Sequence, residues 1–178
     1  GHRIELHIHP HWVDAKYNGD GTWDFSNYYH YSLNSFSQEE ILEMFLEGKS
    51  LLTSIARTVD PHYDICAFRA GGWAVQPFDK LKQAYLATGL KIDSSVAYAA
   101  YYKCKYSYYD FRKSFLKKMD FYNFNDDVLK YEKNGLFTEV PISVYKRSIW
   151  LKIIDKIYRM YSKKSDPITD GTHKRDDL

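Results

Sequence analysis

Apolar and polar positions change period several times along the chain, and each change marks an element. Arg3-Ile4-Glu5-Leu6 alternates and predicts a short strand. Residues 13–36 lose periodicity and read as a long polar and aromatic loop, with Asn18-Gly19-Asp20-Gly21 as a strong turn signal. Long loops often carry binding contacts rather than merely connecting. Ser37 and Glu40 have the spacing of a capping box. Ile41, Met44, Phe45, Leu51, Leu52 and Ile55 then recur at helical spacing. Gly48 falls on that stripe, where it costs about 1 kcal/mol against Ala but permits close packing. Asp60-Pro61 ends the unit. Residues 65–68 predict a short apolar strand leading into Arg69 and a Gly71-Gly72 turn. Pro77 opens a second helix with Phe78, Leu81 and Tyr85 on one face, and Gly89 stops it. Strands are expected near 91–96 and 137–144. This order predicts an α/β fold with parallel strands, whose chemistry sits at the strands' carboxyl ends.

Two aromatic segments stand outside that frame. Residues 97–126 are irregular and rich in tyrosine, which suits core filling and also stacking against sugar rings. A helix near 148–162 carries Trp150, Ile153, Ile154, Ile157 and Tyr161 on one face and basic residues over much of the rest. That pattern reads first as core packing with a solvated basic face, and second as contact with an acidic membrane surface. The tail from Ser165 to Leu178 is polar, so one domain over 1–164 and a tail over 165–178 are expected.

Composition narrows the partners. A net charge of +2 gives no electrostatic case for nucleic acid. No apolar run approaches the roughly 18 residues of a membrane span. Cys66 and Cys104 are too few for a disulfide framework, which favours a reducing, cytoplasmic setting.

The candidate chemistry lies at the start. His7-Ile8-His9-Pro10-His11-Trp12 holds three of the seven histidines at alternate positions. Neutral imidazole is the commonest protein ligand for a divalent metal, and zinc is the first expectation. Residues two apart on a strand lie roughly 6.5–7 Å apart on one face, close enough to share an ion. Residues four apart lie roughly 13 Å apart while extended, so His7 and His11 meet only if the chain turns after His7. Pro10 fits such a turn.

Gly1-His2-Arg3-Ile4-Glu5-Leu6-His7-Ile8-His9-Pro10-His11-Trp12 resembles the second motif of the polysaccharide deacetylase family, the NodB-type carbohydrate esterases. Phe68-Arg69-Ala70-Gly71-Gly72-Trp73 resembles its third. Gly89 to Val96 and Leu136 to Ser143 resemble two later strands, so the resemblance covers residues 1 to about 145. It implies a distorted (β/α)7 barrel and metal-dependent hydrolysis of N-acetyl groups on a surface carbohydrate. It makes His7 and His11 the metal ligands, while strand geometry keeps His9 as the rival. Arg69 would orient the base carboxylate, Asp93 would contact that network or a later turn, and Trp12 and Trp73 would wall the site. The family places its metal-binding and base aspartates before the histidine motif, where this chain has nothing. The expectation is therefore an incomplete barrel, with the activity of the fragment itself left open. Glu5 is not promoted to base, and His173 is a poor match to the family's late general acid.

Two other classes stay open. A non-catalytic carbohydrate-binding module would explain the missing aspartates and the abundant tyrosines. A two- or three-metal barrel hydrolase of the amidohydrolase or PHP type would explain His-x-His, but needs further histidines at strand ends. His30, His62 and His173 do not sit at convincing ones.

Overall fold

Among the described residues, nine short strands and three α-helices organise the chain: β1 (Leu6–Ile8), β2 (Lys16–Tyr17), β3 (Trp23–Asp24), α1 (Gln38–Ala56), β4 (Ala67–Ala70), α2 (Asp79–Thr88), β5 (Ile92–Asp93), β6 (Tyr101–Lys103), β7 (Tyr108–Asp110), β8 (Tyr122–Phe124), β9 (Phe137–Glu139) and α3 (Ile149–Tyr161). The computed structural model describes residues 2–113, 120–144 and 148–161, apart from the side chains of 152, 155 and 159–161. His173 and the expected tail therefore lie outside the described residues.

Five strands form one sheet in the order β1-β4-β5-β9-β8. The first four run parallel, and β8 pairs antiparallel with β9. Mixed α/β architecture with mostly parallel strands is thus as the pattern predicts. The parallel strands follow one another across the sheet in a single direction. Among the described residues β1 and β8 are its edges.

The local signals explain the helices. In α1 the Ser37 hydroxyl accepts from the Glu40 amide, and the Glu40 carboxylate accepts from the Ser37 amide. Both satisfy donors that the helix start leaves open. Gly89 caps α2 in the left-handed region, at φ +69°. Gly48 lets α1 lie close on β1, since a Cβ there would fall 2.9 Å from Leu6 Cδ1. The expected stripe of α1 is buried only in part: Ile41 and Phe45 are in the core, whereas Leu51 and Ile55 are exposed.

Register assigns the two faces of the sheet. Leu6, Phe68, Asp93, Glu139 and Tyr122 stand side by side across the five strands, and all are buried. Successive strand residues point to opposite faces. His7 and Arg69, aligned one residue further on, therefore project from the other face, and both are exposed. The buried face packs on aromatic rings. Phe45 of α1 lies 4.5 Å from Phe68, and Tyr85 of α2 lies 5.5 Å from Phe137, centre to centre. Tyr109, Phe111, Tyr122 and Phe124 from the tyrosine-rich stretch also sit in this core. Tyr101, Tyr108 and Phe121 are exposed.

The chain divides into two compact units after Ser143; the boundary expected at 164 lies outside the described residues. The second unit contains α3. No helix among the described residues is long and apolar enough to cross a membrane.

Candidate functional site

Pro10 sets the geometry of the histidines. It starts a 3-10 turn over Pro10–Asp14, with His9 just before it. Proline suits this first position because its missing N–H would be unpaired there anyway. The chain therefore stays extended through His7 and His9 and turns only afterwards, not after His7. The result is a meeting of His7 with His9: their Nε2 atoms lie 2.8 Å apart, with the rings at 89°. His7 Nδ1 donates to the Arg69 carbonyl over 2.8 Å. A carbonyl can only accept, so the proton sits on Nδ1 and the His7 Nε2 lone pair faces His9.

His11 is drawn inward. It is 9% exposed and stacks on Tyr31 with ring centres 5.1 Å apart. Its Nδ1 is buried with no hydrogen-bond partner among the described residues. Burial lowers its pKa, against a smaller opposing pull from Asp14, and so favours neutral imidazole.

The Gly71-Gly72 turn, at the end of β4, is built against this cluster. A Cβ on Gly71 would overlap the Ile8 carbonyl oxygen and approach His9 Nδ1 to 3.3 Å. A Cβ on Gly72 would fall 2.7 Å from Tyr31, the ring that stacks on His11. Gly72 and Trp73 both take left-handed backbone, at φ +59° and +60°. The second is costly for a residue with a side chain. The two motifs that looked alike to one family thus touch in space.

The other predicted residues divide between the faces. Arg69 donates from Nε to the Ser94 carbonyl over 2.9 Å and from Nη2 to Ser94 Oγ over 3.1 Å. Among the described residues it makes no ion pair with a carboxylate. Both contacts are to Ser94. Asp93 is fully buried on the helix side, where it accepts from Tyr85 Oη over 2.6 Å and from Ser95 N over 2.9 Å. The sheet separates it from His7, so it does not join the histidines. Glu5 shares the face of His7, but its carboxylate accepts from the amides of Cys66 and Ala67 and from Arg3. It secures the start of β4. Trp12 is 61% exposed and stacks on His9, with centres 5.5 Å apart and planes at 17°. Trp73 is exposed, and its ring lies 5.8 Å from that of Tyr109, centre to centre.

Two groups escaped the sequence reading. Asp14 pairs with His30 Nδ1 over 2.8 Å, beside the cluster. Residues i and i+3 eclipse in a 3-10 turn, so the spacing of His11 and Asp14 was a usable signal. Trp12 also leads into an aromatic surface formed by the loop. Its ring centre is 5.9 Å from that of Phe25, and Tyr17 and Trp23 of the β2–β3 hairpin lie 5.2 Å apart. All four side chains are exposed.

Two facing imidazole nitrogens, one with a fixed tautomer, suit a zinc-type ion. Two ligands at about 2.05 Å in a tetrahedral shell stand about 3.3 Å apart, so a small ring rotation separates the hydrogen bond from shared ligation. A catalytic zinc takes three protein ligands. Among the described residues no three His, Cys, Asp or Glu side chains gather closely enough to hold a metal. His7 and His9 would supply two of the ligands such an ion needs.

No protein-family model, curated protein or solved structure matches this chain.

Proposed function

We propose that this chain is a metal-dependent polysaccharide deacetylase-like domain that works on N-acetyl groups of a surface carbohydrate. The observation that carries this reading is the His7–His9 meeting, backed by the Gly71-Gly72-Trp73 turn at the carboxyl ends of neighbouring parallel strands. The fold supports it further. Parallel strands that advance in one direction, joined by right-handed crossovers, put their helices on one face. That is the winding of a (β/α) barrel, so the sheet reads as an arc of an incomplete, distorted (β/α)7 barrel with His7 and Arg69 on its inner face.

His7 and His9 would hold the metal, with the neutral His11 behind them. When bound, the metal would polarise an acetyl carbonyl and acidify a water. The protein's own residues supply the rest. Arg69 fixes the His7 tautomer through its carbonyl, and its guanidinium on Ser94 holds that stretch of β4. Trp12 and its aromatic neighbours offer faces on which the apolar side of a sugar ring can stack. Asp14, held by His30, is the carboxylate beside the cluster available to accept a proton.

Calorimetry with zinc and acetate release from N-acetylated oligosaccharides test the proposal. Zinc should bind, and His7→Ala and His9→Ala should each weaken it at least tenfold. His11→Ala should weaken it less. Equal affinity in wild type and all three variants sinks the site. A second reading, a non-catalytic carbohydrate-binding module, is favoured by the lack of a third gathered ligand among the described residues and by the exposed aromatics. It predicts zinc-independent sugar binding, lost in Trp12→Ala, with no acetate released.

A further inference from the structure

The sequence of α3 separates its residues sharply. Lys152, Asp155, Lys156 and Arg159 fall at i, i+3, i+4 and i+7, a single narrow stripe. Every other position is Ile, Trp, Leu, Met or Tyr, so the apolar arc covers more than half the circumference. A helix of that kind ordinarily packs the arc into a core. Here the arc is exposed: Trp150 at 75%, Ile154 at 59%, Tyr158 at 58% and Ile157 at 49%.

Charge says what kind of surface covers it. Residues 145–164 hold seven Lys and Arg against the single Asp155, a net +6. The whole chain carries +2, so the remainder carries a net −4. The positive charge is concentrated where the apolar arc is. A second copy of the same helix would bring +6 against +6, and the chain's remainder is only weakly acidic. An anionic bilayer meets both features at once, taking the apolar arc among its acyl chains and the basic stripe at its phosphates. At 13 residues the helix is about 20 Å long, too short for a roughly 30 Å hydrocarbon core, so it must lie in the plane. Trp150 and Tyr158 are side-chain types suited to that depth.

We infer that α3 is an in-plane anchor that binds the domain to anionic lipid surfaces. This stands apart from the reading of the histidine site and survives its failure.

Flotation of the full 178-residue chain with vesicles tests it. Phosphatidylcholine vesicles with and without 30% phosphatidylglycerol would be compared at 0.1 M and 0.5 M salt. The anionic vesicles should bind at least tenfold more protein, and 0.5 M salt should cut that severalfold as screening shortens below about 10 Å. Ile154→Asp/Ile157→Asp should abolish binding, and Lys152→Glu/Lys156→Glu should weaken it at least fivefold. Both variants should keep the wild-type melting temperature, because the arc is exposed in the folded protein. Absence of binding to either vesicle overturns the proposal. So does equal binding of wild type and Ile154→Asp/Ile157→Asp. A melting temperature lowered by Ile154→Asp/Ile157→Asp would instead put the arc in the protein's own core. A dimer in light scattering that this variant dissociates would put it against a second copy.

Discussion

Replacing Glu139 by Gln should remove the pH dependence that a buried carboxyl pair imposes on stability. Glu139 and Asp93 are opposite each other on β9 and β5, and both are fully buried. Burial raises the pKa of Glu139 well above its ordinary 4.5, and the Asp93 carboxylate beside it adds to the rise. Glu139 therefore holds its proton to higher pH in the folded protein than an ordinary carboxyl does. The unfolded chain loses that proton near pH 4.5, while the folded chain keeps it. Glu139 thus contributes stability that is fully present below 4.5 and declines as pH rises toward its folded pKa. One proton corresponds to about 1.4 kcal/mol per pH unit. The amide introduced by Glu139→Gln would keep the acceptor for the Val96 amide, now 3.0 Å from Oε1, and a donor toward Asp93. It has no proton to lose. Urea denaturation of both proteins at pH 5, 6, 7 and 8 measures the difference, in which other titrating groups cancel. From pH 5 upward the variant should gain on the wild type, by at most about 1.4 kcal/mol for each pH unit over which the folded protein still holds the proton. Parallel stability curves would refute the raised pKa of Glu139. A variant less stable at every pH would show that the carboxyl makes a contact the amide cannot.

Three further outcomes follow from the same contacts. Tyr85→Phe removes a hydrogen bond to the buried Asp93 and should cost about 1.5–3 kcal/mol in urea denaturation, with little change in zinc binding. Gly71→Ala drives a methyl into the Ile8 carbonyl, so it should lower zinc affinity at least tenfold in calorimetry, whatever it does to stability. Arg69→Lys keeps the charge but loses the planar fork on Ser94; stability should fall by about 1 kcal/mol, and zinc affinity should fall with it because the Arg69 carbonyl carries His7.

The parts of the fold legible in the sequence are those fixed within one turn of chain. Ser37 and Glu40 cap α1 through atoms three residues apart, and Gly89 ends α2 by its own φ. Strand limits were less legible. Strands of two to four residues show too few alternations to set a period, so β1 lies at Leu6–Ile8 rather than Arg3–Leu6. Leu51 and Ile55 carry the right spacing but lie beyond the reach of the sheet, and only the packing decides that. The tyrosine-rich stretch hides its sorting for the same reason. Tyr109 and Tyr122 are buried and Tyr101 and Tyr108 exposed, though their composition is alike.

At the site, strand periodicity and family resemblance disagreed over which histidines meet, and the position of one proline decides between them. Pro10 turns the chain after His9, so strand spacing prevails for His7 and His9. The resemblance carried different information, namely which distant segments belong together. Asp93, Ser94 and Ser95 show why. The Ser95 hydroxyl donates to Asp93 and accepts from the Ala70 amide, and the Ser94 amide donates to the Phe68 carbonyl. The end of β4 is thus fastened to the buried carboxyl pair on one side, and Gly71 presses it on the histidine loop on the other. Asp93 reaches the cluster only through this chain of contacts. If the chain is rigid, Glu139→Ala should shift the imidazole NMR signals of His7 and His9 while leaving those of His62 unmoved. His62 lies in the turn after Asp60 and shares none of these contacts. Unmoved His7 and His9 signals in a folded Glu139→Ala protein would mean that the carboxyl pair stabilises the sheet and does nothing for the site.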